Sequence, residues 1–157
     1  MPPLNYEIVH RLKAAHPDWP IIINGGVGSI EMAKEQLDHV DGVMLGRAAY
    51  QEPWRLLAAD PQMFDEPAPF VSAKEAALAF VPYIERELSR GTRLHAMTRH
   101  MLGLFHAVPG ARAFRRHLST HAVRPGAGTE VLLDALSHVA DAPTSVDSRV
   151  KLPHIAA

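Results

Sequence analysis

The chain has 157 residues, of which 47% are apolar, enough for a packed core and too apolar for global disorder. Sixteen Lys and Arg against seventeen Asp and Glu give a formal net charge of −1, and the absence of cysteine excludes disulfides, thiolate metal sites and cysteine catalysis within this chain. No apolar run approaches the ~20 residues needed to span a bilayer and no secretory leader opens the sequence, so a cytoplasmic location without membrane contact is expected.

Residues 4–16 place Leu4, Ile8, Val9 and Leu12 at helical spacing, and Pro17 ends the run. Residues 20–23 read as a short β-branched strand that leads into Asn24-Gly25-Gly26. Ser29 is placed as an N-cap, with Glu31 in the first turn where the helix dipole favours it, and this helix runs to about Leu37. Residues 43–45 are the next buried strand, closed by Gly46-Arg47, and a short helix from near Ala48 carries Trp54, Leu56 and Leu57. The order strand, turn, helix, strand, turn is that of a βαβ unit. Its two turns fall at the carboxyl ends of parallel strands, where α/β barrels place their chemistry. Two strands cannot close a barrel, and their open edges and apolar faces predict aggregation or pairing with a partner.

Residues 61–72 hold Pro61, Pro67 and Pro69 among acidic and small residues and read as a linker. After it the pattern is helical, with candidates at 73–89, 93–107, 111–122 and 129–140 punctuated by Gly91, Pro109-Gly110 and Pro125-Gly126. The expected fold class is therefore α/β followed by all-α. Residues 1–60 form the first part, 73–141 a small helical bundle, and 142–157 a frayed tail without periodicity.

A phosphate needs several donors converging without side chains in the way, which glycine turns before helices provide. Gly25, Gly26 and Gly46 meet that need. Arg47 adds a guanidinium able to hold two oxygens, and Asn24 can reach a hydroxyl or a phosphate oxygen. Asn-Gly-Gly is equally at home in a turn with no ligand, so the joint arrangement of the two turns carries more weight than either alone.

Charge is unevenly distributed. Residues 1–72 hold five Lys and Arg against ten Asp and Glu, whereas residues 73–141 hold nine against six. From Leu88 to Thr129 no acidic residue occurs, yet there are seven arginines. Arg112, Arg115 and Arg116 stand at i, i+3 and i+4, so a helix groups them, with Phe114 and Leu118 turned toward the bundle. This arrangement suits an RNA backbone; a solvated basic face is the plainer alternative. Arg99 either joins that surface or pairs with Glu85 or Glu87. His117 and His121 have metal-ligand spacing, but no nearby Glu or Cys completes a set, and no metal is expected. Met97, Met101, Leu104 and Phe105 form a core stripe, and Tyr50 and Trp54 are expected to pack rather than to stack on bases.

Asn24-Gly25-Gly26, Leu37-Asp38-His39-Val40-Asp41-Gly42-Val43-Met44 and Gly46-Arg47-Ala48-Ala49-Tyr50 resemble the flavin-phosphate region of the tRNA-dihydrouridine synthases. Pro82-Tyr83-Ile84-Glu85-Arg86-Glu87-Leu88, Thr98-Arg99-His100-Met101-Leu102-Gly103-Leu104-Phe105 and Pro109-Gly110-Ala111-Arg112 resemble the helical part of the same family, in its A-type subgroup. The resemblance implies an FMN enzyme that reduces tRNA uridine to dihydrouridine, at D-loop positions 20 and 20a, with NADPH as the reductant and a cysteine as the proton donor. It implies flavin contacts at Asn24, Gly25, Gly26, Gly46 and Arg47, and places Arg112 and Arg115 where the family faces tRNA.

By the same resemblance residues 1–60 are the last strand–helix units of a TIM barrel and 73–141 the tRNA-binding domain. Roughly six of the eight strand–helix units are then absent. The chain is expected to be a C-terminal fragment with no catalytic residue of its own, inactive alone. Two rivals remain: a non-catalytic RNA-binding module, and part of another phosphate-binding α/β-barrel enzyme.

Overall fold

Residues 4–140 are described in a computed structural model of the chain. Helix α1 (Tyr6–Ala15) forms as its spacing predicts, but it buries none of its residues. Leu4, Ile8 and Leu12 lie along one side, all exposed. Lys13 closes the helix by donating to the carbonyls of Pro17 and Trp19 and by pairing with Asp41 at 2.8 Å.

Strands β1 (Ile22–Asn24) and β2 (Gly42–Met44) pair in parallel, with Ile22 opposite Gly42, Ile23 opposite Val43 and Asn24 opposite Met44. The first strand starts later than its composition suggests. Pro20 has no N–H to give, and the Ile21 N–H donates to the Asp41 carboxylate at 2.8 Å, while the Asp41 N–H donates to the Ile21 carbonyl. This exchange fixes the register of the pair. The Ile21 N–H, followed by the Lys13 ammonium, holds the Asp41 carboxyl below its ordinary value.

Between the strands runs α2 (Ile30–Leu37), capped as expected by Ser29, whose hydroxyl accepts from the Met32 N–H. Ile23, Val27, Ile30, Ala33 and Val40 are buried between the strands and this helix. On the opposite side of the sheet Ile22 and Met44 are exposed, at 68% and 49%, so that face is apolar and uncovered among the described residues.

After β2 come α3 (Arg47–Gln51), a 3-10 turn (Pro53–Ala58) and a wider π turn (Asp60–Phe64) closed by Asp65 in the left-handed region. Five helices follow: α4 (Ala73–Ala79), α5 (Val81–Ser89), α6 (Leu94–Thr98), α7 (Ala111–His121) and α8 (Thr129–Ser137). Their buried residues form one cluster that includes Ile84, Leu94, Phe105, Phe114, Leu132 and Leu136, with Phe105 set edge-on to Phe114 at 4.8 Å.

Three expected helices are interrupted. The one from near Ala48 ends at Gln51, before Pro53, so Trp54, Leu56 and Leu57 fall in the 3-10 turn. The run 73–89 breaks at Phe80, because Pro82 cannot donate to the Leu78 carbonyl and its ring crowds that carbonyl. The run 93–107 stops being α-helical at Thr98 and tightens into a 3-10 turn (Arg99–Met101) before unwinding toward Ala107, which has a φ of 59°. At Gly103 the chain comes so close to the Gln51 carbonyl that a Cβ would stand 1.9 Å from its oxygen, so backbone packing across the molecule overrides local helix propensity there. Residues 142–157 lie outside the described residues.

Candidate phosphate grip and nucleic-acid interface

The register that sets Asn24 opposite Met44 brings the ends of both strands side by side, so Gly25-Gly26 and Gly46-Arg47 are adjacent turns at one carboxyl edge. The glycines differ in what demands them. Gly25 and Gly26 have φ of 129° and 66°, and a Cβ on Gly26 would meet Leu4 at 2.6 Å. The Tyr6 hydroxyl also donates to the Gly25 carbonyl at 2.5 Å. The fold itself therefore requires this turn, and Leu4 and Tyr6 cover part of it. Gly46 has an ordinary negative φ of −91°, and its Cβ would make only ordinary contact, 3.6 Å from Met44 Sδ. Among the described residues no side chain or backbone blocks a Cβ at 46.

Arg47 opens α3 and is exposed, with no carboxylate partner among the described residues. Asn24 is exposed at the strand end beside it. At the start of α2 the Met32 N–H is already taken by Ser29, so that helix offers fewer free donors than its position suggests. The edge thus presents a guanidinium, an amide and backbone that a ligand can approach, a set that fits a phosphate ester.

The short α3 joins this edge to the helices. The Tyr50 hydroxyl hydrogen bonds His100 Nδ1 at 3.2 Å, Gln51 touches Gly103, and Glu52 lies 3.9 Å from His106. These three contacts form a seam, in which Tyr50 remains half exposed while Trp54 packs against the helical core.

On α7 the core stripe is Ala111, Phe114 and Leu118, all buried, as the spacing predicts. Arg112 and Arg116 are exposed, with Arg115 half-buried between them and the core. No carboxylate pairs with these three or with Arg99 among the described residues. Arg99 is exposed and engages neither Glu85 nor Glu87; Glu87 accepts instead from Arg90 at 2.8 Å. Unpaired guanidinium groups keep their donors available for phosphate oxygens.

His117 and His121 are neighbours as their spacing requires, and His138 at the end of α8 joins them. His138 could not be paired with them from spacing alone, because the α7–α8 hairpin brings it there. Burial pushes the His117 imidazole below its ordinary value of 6.5, and the charges of His121, His138 and Arg124 push it further, against Asp134. Among the described residues no set of His, Cys, Asp or Glu is arranged to hold a metal ion, and no helix is long and apolar enough to cross a membrane.

Comparison with known proteins gives a consistent result. The family described as Dihydrouridine synthase (Dus) matches residues 1–141. A tRNA-dihydrouridine(20/20a) synthase of Yersinia pestis is 52% identical over 139 residues, covering 88% of this chain and 40% of that protein. That of Vibrio cholerae is 50% identical over 139 residues, with 88% and 42% covered, and that of Haemophilus ducreyi 48% over 141 residues, with 90% and 44% covered. The chain thus spans about two fifths of the length of the curated relatives it matches.

Proposed function

The chain belongs to the dihydrouridine synthase family, and from that premise we propose that it supplies the flavin-phosphate grip and the tRNA-binding surface of a tRNA-dihydrouridine synthase. The family is built on a TIM barrel and is flavin-dependent. A parallel strand pair followed by helices is consistent with the last part of such a barrel. In this reading residues 1–60 belong to the barrel, 61–72 link, and 73–141 are a helical tRNA-binding domain. The uncovered apolar face at Ile22 and Met44, with Leu4, Ile8 and Leu12 nearby in sequence, is what further barrel units would cover.

FMN is the flavin these residues would hold. Gly25, Gly26 and Gly46 would let the backbone approach its phosphate, the Arg47 guanidinium would hold phosphate oxygens, and Asn24 would reach a ribityl hydroxyl or a phosphate oxygen. When bound and reduced by NADPH, FMN supplies hydride to the uracil ring. The family's proton donor is a cysteine, and these 157 residues contain none, so no residue of this chain is given a catalytic role. Arg112, Arg115 and Arg116, with Arg99, bind the tRNA backbone and position the D-loop, since RNA of this kind is held mainly through its shape and phosphates. The substrate is uridine at positions 20 and 20a, as the names of the relatives suggest, and a tRNA substrate places the protein in the cytoplasm.

The observation that carries this reading is the set of exposed or half-exposed arginines without carboxylate partners on one stretch of helices. The lack of cysteine favours a second, narrower reading for the chain by itself, in which it binds RNA without reducing it. Charge reversal at Arg112 and Arg115 tests both. It is expected to weaken tRNA binding and to reduce the salt slope by about one for each phosphate no longer gripped. Unchanged affinity and slope would remove the arginine surface from the account. A yellow protein on purification favours the flavin-binding reading over the binding module.

A further inference from the structure

Beside the arginine surface, between α7 and the end of α8, lies a hollow of about 280 Å3 lined by Ala113, Arg116, His117, Thr120, His121 and His138. The His117 ring is 4.4 Å from that of His121 and 5.4 Å from that of His138, centroid to centroid. Neither spacing nor composition assigns these rings a role, and the phosphate grip at the strand ends makes no use of them. The three imidazoles are not arranged as a metal site. The fourth polar wall, moreover, is a guanidinium, which repels a cation and binds an oxyanion through two parallel hydrogen bonds. Thr120 adds a hydroxyl that donates or accepts.

We propose that this hollow binds a phosphate group, held by Arg116 and by the imidazoles of His117, His121 and His138, and that an RNA backbone phosphodiester is the group it takes. The RNA source rests on the proposed function; the phosphate site does not.

Binding at this hollow is coupled to protons. The groups that face His117 are His121, Arg116 and Arg124 from α7 and its end, and Asp134 and His138 from α8. Without an anion partial burial, and after it the positive neighbours, oppose protonation of His117, while Asp134 favours it. A bound phosphate opposes these causes at His117, because an imidazolium there then gains an opposite charge. For a phosphodiester, whose own charge is constant near neutral pH, binding takes up a proton at His117 and tightens as pH falls. For every unit by which the anion raises the His117 pKa, the form protonated there binds about tenfold more tightly than the neutral one.

Imidazole NMR of the full chain tests this, with the histidine resonances assigned from single His→Gln variants. The probes are inorganic phosphate and, separately, tRNA, both at the same pH in a non-phosphate buffer. Phosphate is expected to shift the His117, His121 and His138 resonances together. The shift should be lost in Arg116→Gln, a surface change whose fold is checked by circular dichroism. The same resonances moving with tRNA support the phosphodiester source. If phosphate moves them and tRNA does not, the site stands as one for a free phosphate and the RNA source is overturned. Resonances unmoved by both probes overturn the site, even where tRNA binds elsewhere on the chain.

Discussion

Replacing Gly103 by alanine probes the seam through which the phosphate-facing edge meets the helices. An ideal Cβ at this position stands 1.9 Å from the Gln51 carbonyl oxygen and 2.7 Å from its carbon. Ordinary non-bonded contacts lie near 3.5 Å, so one backbone must retreat by about 1.5 Å. Overpacking of this kind costs ~1–3 kcal/mol. Alanine in place of glycine returns ~0.4–1 kcal/mol by restricting the unfolded chain, an effect too small to offset the clash. The net loss of about 1–2 kcal/mol corresponds to a fall in Tm of roughly 2–8 °C for a chain of this size. Thermal unfolding measures the loss. The imidazole resonances of His100 and His106, which meet Tyr50 and Glu52 across the same seam, report whether it has opened. An unchanged or raised Tm with both resonances in place would refute the close approach at Gly103.

Gly46→Ala should leave stability nearly unchanged, since its Cβ makes only ordinary contact with Met44, while weakening FMN binding measured by flavin fluorescence; equal affinity for FMN would mean that no ligand approaches this turn. Phe114→Ala, in the fully buried centre of the helical core, should cost ~3–5 kcal/mol by urea unfolding, and a loss under 1 kcal/mol would contradict the packing. The lowered proton affinity of His117 has a definite sign: the unfolded chain binds the proton more readily, so the stability due to neutral His117 is present above about pH 6.5 and is lost as pH falls from there toward the lowered folded value. The urea midpoint in phosphate-free buffer should therefore decline below that pH less steeply in His117→Gln than in the parent chain, and parallel profiles would count against the cause assigned.

Local chemistry made much of this architecture legible. Ser29 before an amphipathic run reads as a cap because its hydroxyl needs only the N–H three residues on, and α7 declares its buried side through Phe114 and Leu118. The two glycine turns are visible for the same reason, since strand, turn and helix alternate over a short stretch. What stayed hidden depends on residues far apart in the chain. Leu4, just ahead of α1, and Tyr6, its first residue, cover the Gly25-Gly26 turn from far off in the sequence. Gly103 is tight only because Gln51 lies against it, and His138 meets His117 only through the packing of α7 on α8. The break at Phe80 is of another kind: Pro82 states it locally, but the strong helical pattern on either side masks it.

The central claim is that the unpaired arginines of the helical half grip a tRNA backbone. Its most direct test is the affinity of the full chain for tRNA across a range of salt concentrations. The account predicts binding that weakens steeply with salt, with a logarithmic slope of about −2 to −4 for three or four guanidinium–phosphate contacts. Absence of binding at low salt, or binding indifferent to salt, would contradict it.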